Sequence, residues 1–268
     1  MADIAVYWEM ATSTGGGNVL KKSLSLLLIF VSIIVDVRMA GAEYSTCADA
    51  YLAKNYASAF SLCKTEVSSG EDTDGWPQYY LSMMYRLGQG VRQDDSEGFN
   101  WALLSAKLGN WVSMYLVATD YAFNKGVSQD DRQALIWLSS LVRVDLKEAE
   151  SLLAWFYDTG RGVTRDAATA TKLYLLAAQQ GDPDAQLRLS ARYWGGVGVL
   201  QDYVEAHKWA NLARSQGHSP IPQYLQELAS LMTASQIEQA QKLAREWTPR
   251  ERDPKAAAFL APFLFPTR

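Results

Sequence analysis

The chain has 268 residues, of which 49% are hydrophobic, 12% aromatic and 20% charged, too apolar for a disordered polymer and long enough to bury a continuous core. Its 25 Lys and Arg against 29 Asp and Glu give a formal charge of -4, so it has no basic excess for phosphate backbones and no nucleic-acid partner is expected. Two cysteines and two histidines are too few for a zinc ribbon or Cys/His cluster unless carboxylates complete the shell. No metal and no cofactor is expected.

Lys21 and Lys22 precede an apolar run from Leu24 to Val35, interrupted only by Ser25 and Ser32, and Met39-Ala40-Gly41-Ala42 then supplies small residues ahead of Glu43. Residues 1–42 read as a leader carrying a signal peptide, which predicts export to the periplasm or secretion. The run is about a dozen residues, short of the ~20 that a helix needs to cross the hydrocarbon core, so no stable transmembrane anchor is expected. Signal peptides normally open on their basic residues, whereas here Gly15-Gly16-Gly17-Asn18 lies just ahead of Val19 and the two lysines. Glycine codons can spell a purine-rich ribosome site and bacteria can initiate at a valine codon, which points to a start at Val19 with residues 1–18 untranslated.

Residues 43–75 are expected to form a capping hairpin with its turn at Lys54-Asn55-Tyr56. Cys47 and Cys63 lie eight residues either side of Asn55. An antiparallel helix pair would bring them to one height, where a disulfide is the expectation for an exported protein. The alternative is two buried free thiols.

From residue 76 the chain repeats. Gly90-Val91, Gly126-Val127, Gly162-Val163 and Gly198-Val199 recur at a constant spacing of 36, as do Tyr85, Tyr121, Tyr157 and Tyr193, and Asp94, Asp130, Asp166 and Asp202. Tyr is 14 of 268 residues, so three further tyrosine matches have a chance of about 1 in 7000. Each unit reads as a first helix, a glycine turn, a second helix and a short turn. Asp182-Pro183 is an N-cap with proline at the first helical position. The turn glycines end the first helix by taking positive φ. Asp202 with Glu205, Asp94 with Glu97 and Asp130 with Gln133 have the spacing of a capping box, and Asp166 with Thr169 is the weak copy.

Ser82, Ala118, Ala154 and Ser190 give every first helix a small residue where a neighbour can approach closely, and Trp101, Trp137, Leu173 and Trp209 share one position on the second helices. A helix pair cannot cover that much apolar surface alone, so successive pairs must stack. The fold class predicted is all-α, a right-handed α-solenoid of helix-turn-helix repeats with four units over residues 76–218. Residues 219–248 supply two capping helices, the second opened by Thr233 and Gln236. The segment 249–268 is an apolar tail behind a polar breaker, expected either to dock on its own protein or to contact a partner or membrane surface.

In the order small residue, Tyr, Gly-x-Gly-Val, Gln-Asp and Trp, these residues resemble the Sel1-like repeat family, a branch of the tetratricopeptide-type solenoids. The segment from Gln201 to Trp209 fits the family's second helix especially closely. Asn124 in place of a turn glycine and Arg165 in place of Gln depart from the pattern. The resemblance implies a non-enzymatic scaffold or adaptor of the cell envelope, binding a protein or peptide on the concave face formed by the first helices. Projection at 3.6 residues per turn gathers Tyr79, Met83 and Arg86 into one stripe, continued by Tyr115, Trp155 and Trp194. These side chains are read either as partner anchors or as packing between repeats.

Some secreted members of the family have been linked to β-lactam binding, and Ser61-Leu62-Cys63-Lys64 matches the Ser-x-x-Lys pattern of penicillin-interacting enzymes. This supports the alternative of a cell-wall or β-lactam-active envelope protein, a glycan binder or hydrolase. Neither Ser-Asp-Asn nor Lys-Thr-Gly occurs in the chain, and no catalytic residue is assigned. The Gly-x-Gly pairs lack the strand and the third glycine of a phosphate loop. His207 falls at a helix-packing position and His218 in an inter-repeat turn, and the repeated aspartates are explained by capping rather than acid-base chemistry.

Overall fold

A computed structural model describes residues 45–70, 74–218 and 222–250. The leader over 1–42 and the tail beyond Arg250 therefore lie outside the described residues. Within the unit Thr46–Arg268 the described residues form twelve helices and no strand. A hairpin of α1 (Cys47–Leu52) and α2 (Tyr56–Ser69) is followed by four pairs: α3 (Trp76–Leu87) with α4 (Asp95–Lys107), α5 (Trp111–Phe123) with α6 (Asp131–Val142), α7 (Lys147–Thr159) with α8 (Ala167–Gln179), and α9 (Pro183–Gly195) with α10 (Tyr203–Ser215). The chain continues with α11 (Pro222–Ser230) and α12 (Ala234–Glu246), which both pack on α10. Each hairpin packs on the next, giving the all-α repeat solenoid that the 36-residue period requires.

The repeated columns have separable physical jobs. The backbone N–H of each repeated aspartate donates to the carbonyl of the repeated tyrosine, as from Asp94 to Tyr85 at 2.9 Å and from Asp202 to Tyr193 at 2.9 Å, which closes the turn. The aspartate side chain then caps the second helix, Asp94 accepting from the N–H groups of Ser96 and Glu97 at 3.0 Å and Asp130 from those of Arg132 and Gln133 at 3.0 Å. The two-way capping box forms at Thr233 and Gln236 rather than at the repeat starts. Glu205, for one, turns away to accept from the indole N–H of Trp209 at 2.9 Å.

The second turn glycine sets the stacking distance. Gly90, Gly126, Gly162 and Gly198 all have positive φ, and each abuts the first residue of the preceding unit's second helix. A Cβ on Gly90 would lie 2.8 Å from the Tyr56 carbonyl oxygen, and one on Gly126 or Gly198 would overlap the carbonyl of Asp95 or Ala167. Asn124 replaces the first turn glycine without disturbing the turn, because asparagine tolerates the left-handed conformation it adopts at φ +57.

Ser82, Ala118, Ala154 and Ser190 are fully buried. The two serines tie their first helix to its own partner helix, Ser82 Oγ donating to the Gly98 carbonyl at 2.7 Å and Ser190 Oγ to that of Ala206 at 2.6 Å. Between units the joints are keyed differently. Arg86 of α3 is paired with Asp120 of α5, whereas Asp158 of α7 is paired with Arg192 of α9 with the charges reversed. The α5/α7 joint uses the buried pair Ala122 and Phe156 at the same two positions.

The ends are secured by separate devices. Cys47 and Cys63 form the disulfide across the first hairpin, with Cα atoms 4.7 Å apart. At the other end Trp247 packs edge-on against Trp209 at 6.2 Å between centroids. Beyond it, Arg250 N–H donates to the Gln179 carbonyl at 2.7 Å and its guanidinium grips the buried Asp145 at 2.8 and 3.2 Å. The start of the predicted tail is thus a strap laid across the turns before α7 and α9.

Candidate functional site

The first-helix face becomes a site where the repeat is uneven. At one column the units carry Tyr79, Tyr115, Ser151 and Leu187, and a turn later they carry Met83, Thr119, Trp155 and Ala191. Positions four apart share a helix face. Ser151 in α7 therefore leaves a hollow where the two preceding units present tyrosine and the next presents leucine.

The hollow opens into a groove of about 550 Å³ across α5, α7 and α9, a volume in the range of ligand sites. Its apolar wall is Tyr115, Phe123, Leu152 and Trp155, and its polar wall is Glu148, Ser151, Asp182, Asp184 and Arg188. Phe123 is 57% exposed. Trp155 lies tilted on Phe123 with centroids 6.0 Å apart and carries the Arg161 guanidinium 4.8 Å from its ring centroid. Rings held in this way, with a face or edge in water, have the low ordering cost of interface anchors.

Three carboxylates against one guanidinium give the polar wall a negative balance. Asp182 caps α9 by accepting from the Ala185 N–H at 2.7 Å. Burial pushes its carboxyl above the usual range against the pull of that N–H; the neighbouring charges of Asp184 and Glu148 add to the rise and the Lys147 ammonium opposes it. Burial likewise raises the Tyr115 phenol, with further contributions from Glu148 and Asp182. The N-termini of α7 and α9 offset part of this charge. His218 Nε2 stands 4.0 Å from Asp184.

Of the stripe predicted from sequence, Tyr115 and Trp155 meet in the groove. Tyr79 is half-buried against Trp76 and Tyr80, Met83 is half-buried, and Trp194 packs edge-on against Tyr224 of α11 at 5.0 Å. Arg86 is a correction. Its helical position is on the stripe, but its guanidinium folds into the α3/α5 joint, where it bonds Ser82 Oγ at 3.0 Å and Asp120 at 2.9 Å and is only 6% exposed. A cation so paired is not offered to a partner. Projection alone missed Phe123, Leu152, Glu148, Asp182, Asp184 and Arg188. The legible signal for them was Ser151, the one small residue in a column of large ones.

Ser61 and Lys64 of the Ser-x-x-Lys match do not form a catalytic pair. Ser61 Oγ donates to the Ala57 carbonyl at 3.4 Å, and Lys64 Nζ sits over the Trp101 ring at 4.1 Å from its centroid, a cation-π contact rather than a base beside a nucleophile. His207 is buried and its Nδ1 meets Asn211 Nδ2 at 2.8 Å, with burial pushing its pKa down. Among the described residues no group of His, Cys, Asp and Glu has the arrangement of a metal site, and no helix is long and apolar enough to cross a membrane.

Stacked helix hairpins with a glycine-turn, aspartate-cap repeat define a tetratricopeptide-like α-solenoid. The Sel1 repeat model matches residues 78–110, 111–141, 147–182 and 183–218, half of the chain, and the protein belongs to the Sel1 repeat family. Among solved structures it is similar to a Sel1 repeat protein from Oxalobacter formigenes, with 29% identity over 66% of this chain and 50% of that one and a TM-score of 0.56. A match with 22% identity, over 77% of this chain and 59% of the other, is to c5321, a protective antigen present in uropathogenic Escherichia coli strains that displays an SLR fold, with a TM-score of 0.39. The chain thus spans half the length of the Oxalobacter protein. No curated protein shows significant similarity to it. The Sel1 and tetratricopeptide-type repeat fold is typical of scaffolds for protein interactions.

Proposed function

We propose that this protein is an exported adaptor that binds a segment of another envelope protein along its first-helix face, with the groove bordered by Tyr115 and Trp155 as the contact site. The observation that carries the reading is the hollow itself. A repeat stack built only for packing would fill the Ser151 position as it fills those of Tyr79, Tyr115 and Leu187, whereas here the gap is flanked by aromatic rings. Export is supported by the signal-peptide pattern of residues 21–42 and by the Cys47–Cys63 bridge, a bond favoured outside the reducing cytosol.

The test is in-cell crosslinking of the tagged full chain, with mass spectrometry of the captured proteins and a Tyr115→Ala/Trp155→Ala variant alongside. A discrete envelope protein captured by the wild type and lost from the variant is the expected result. Equal capture by both would remove the groove from the account, and capture of glycan alone would move the protein to cell-wall chemistry. N-terminal sequencing of the purified cellular protein checks the address, with Glu43 as the expected first residue.

A further inference from the structure

The groove's chemistry says more than that something binds there. Resting on the adaptor reading, we propose that its occupant is a cationic peptide segment. One Lys or Arg side chain meets the carboxylates of Glu148, Asp182 and Asp184, and an adjacent aliphatic or aromatic side chain lies on Tyr115 and Trp155.

The two walls make this division. Tyr115, Phe123, Leu152 and Trp155 offer apolar area on one side, and the start of α7 and the start of α9 bring three acidic side chains to the other. An anionic segment would meet those carboxylates at close range. A neutral one would strip water from them without replacing it, at a cost that charge-assisted hydrogen bonds from a cation recover. Trp155 already holds one guanidinium, that of Arg161, so its ring is suited to cationic neighbours. Arg188, the one basic side chain of the lining, is exposed, with its guanidinium 5.9 Å from the Tyr174 ring centroid, and it offsets one of the three carboxylates, leaving the acidic excess to the occupant. The volume, about 550 Å³, suits a few side chains of an extended segment. Recognition would therefore be of a short stretch.

The experiment uses the full chain and two fluorescein-labelled peptides, Gly-Lys-Leu-Phe-Lys-Gly and Gly-Glu-Leu-Phe-Glu-Gly, followed by fluorescence anisotropy. The lysine peptide is expected to bind at least tenfold more tightly than the glutamate peptide, and to weaken several-fold between 50 and 300 mM salt, as a partly exposed charge pairing requires. Glu148→Gln/Asp184→Asn should lower the lysine peptide's affinity about fivefold while leaving thermal unfolding cooperative. Ser151→Tyr restores the side chain found in two other units, so it should fold and should abolish binding by filling the hollow.

Equal affinity for the two peptides, or full binding by Ser151→Tyr, overturns the proposal. So does a photoreactive residue at Leu152 that crosslinks, in the pure protein without peptide, to its own residues 251–268, because the groove would then belong to an internal segment. In-cell capture through the groove of a partner segment lacking Lys and Arg would reject the cationic occupant while the adaptor reading stood.

Discussion

Two consecutive units build the same inter-helix contact from different chemistry. In the α9/α10 unit Gln186 is fully buried, accepts from Gln216 Nε2 at 3.0 Å and donates to the Ala178 carbonyl at 3.2 Å, a neutral and self-sufficient arrangement. One repeat earlier the equivalent position is Glu150, equally buried, which accepts from Gln180 Nε2 at 2.9 Å and lies beside Asp145. Burial, and then the Asp145 carboxylate, push Glu150 up to about 9 against the weaker pull of Arg250 and Gln180. Near neutral pH Glu150 is therefore a protonated acid doing the work of a glutamine.

Asp145 shows why the earlier unit differs. In the other units the matching turn residue is Gly109, Gly181 or Gly217, all at positive φ, whereas Asp145 adopts φ +56 with a side chain. That conformation is costly for a non-glycine residue. Its carboxylate recovers the cost by holding Arg250 across the turns before α7 and α9. The comparison teaches that a strap following α12 is anchored in the middle of the stack by trading one glycine and one glutamine for acids.

The largest expected effect comes from removing the anchor. Asp145→Ala leaves the Arg250 guanidinium without its carboxylate and keeps a Cβ in the left-handed region, and should cost about 3–4 kcal/mol in urea unfolding. Asp145→Gly, which copies the other units, should cost about 1 kcal/mol less because the backbone strain is gone. Hydrogen exchange at residues 247–250 should rise in both.

Transplanting the acid gives the next largest effect. Gln186→Glu places a carboxyl in the α9/α10 joint with no strap to justify it, and should destabilise by about 2 kcal/mol at pH 8 and by much less at pH 5. Equal losses at both pH values would show that this joint is wetter than its burial implies.

The third effect is a gain. Glu150 has its folded pKa raised above its ordinary 4.5 to about 9, so between those values the unfolded chain has released a proton that the folded protein keeps. Stability from this group is complete below about pH 4.5 and is lost as pH rises toward 9. Glu150→Gln should remove that slope and stabilise the protein at pH 8 relative to pH 5, read as the difference between melts at the two pH values.

The architecture was legible because its cause is periodic. Tyr85 and Asp94 recur together because the aspartate N–H closes a turn on the tyrosine carbonyl, and Gly90 recurs because any Cβ would meet Tyr56. The disulfide was legible from hairpin symmetry. The groove was only half legible: Tyr115 and Trp155 lay on the projected stripe, but a hollow is made by what is missing, and Ser151 shows only when the columns are aligned. Arg86 was misplaced because a long side chain can leave its face for a carboxylate one unit away. The Glu150, Asp145 and Arg250 cluster was hidden by sequence distance, although the break in the glycine column at Asp145 was there to be seen.

We propose that the first-helix face, at its hollow, is where the protein meets its partner. The most direct measurement places a photoreactive amino acid in the full chain in living cells, at Leu152 in the groove or at Ile136, which is 57% exposed on the second-helix α6. A single discrete protein crosslinked from Leu152 and none from Ile136 is the predicted result. Capture from Ile136 with none from Leu152 would put the partner on the opposite class of helices and contradict the account.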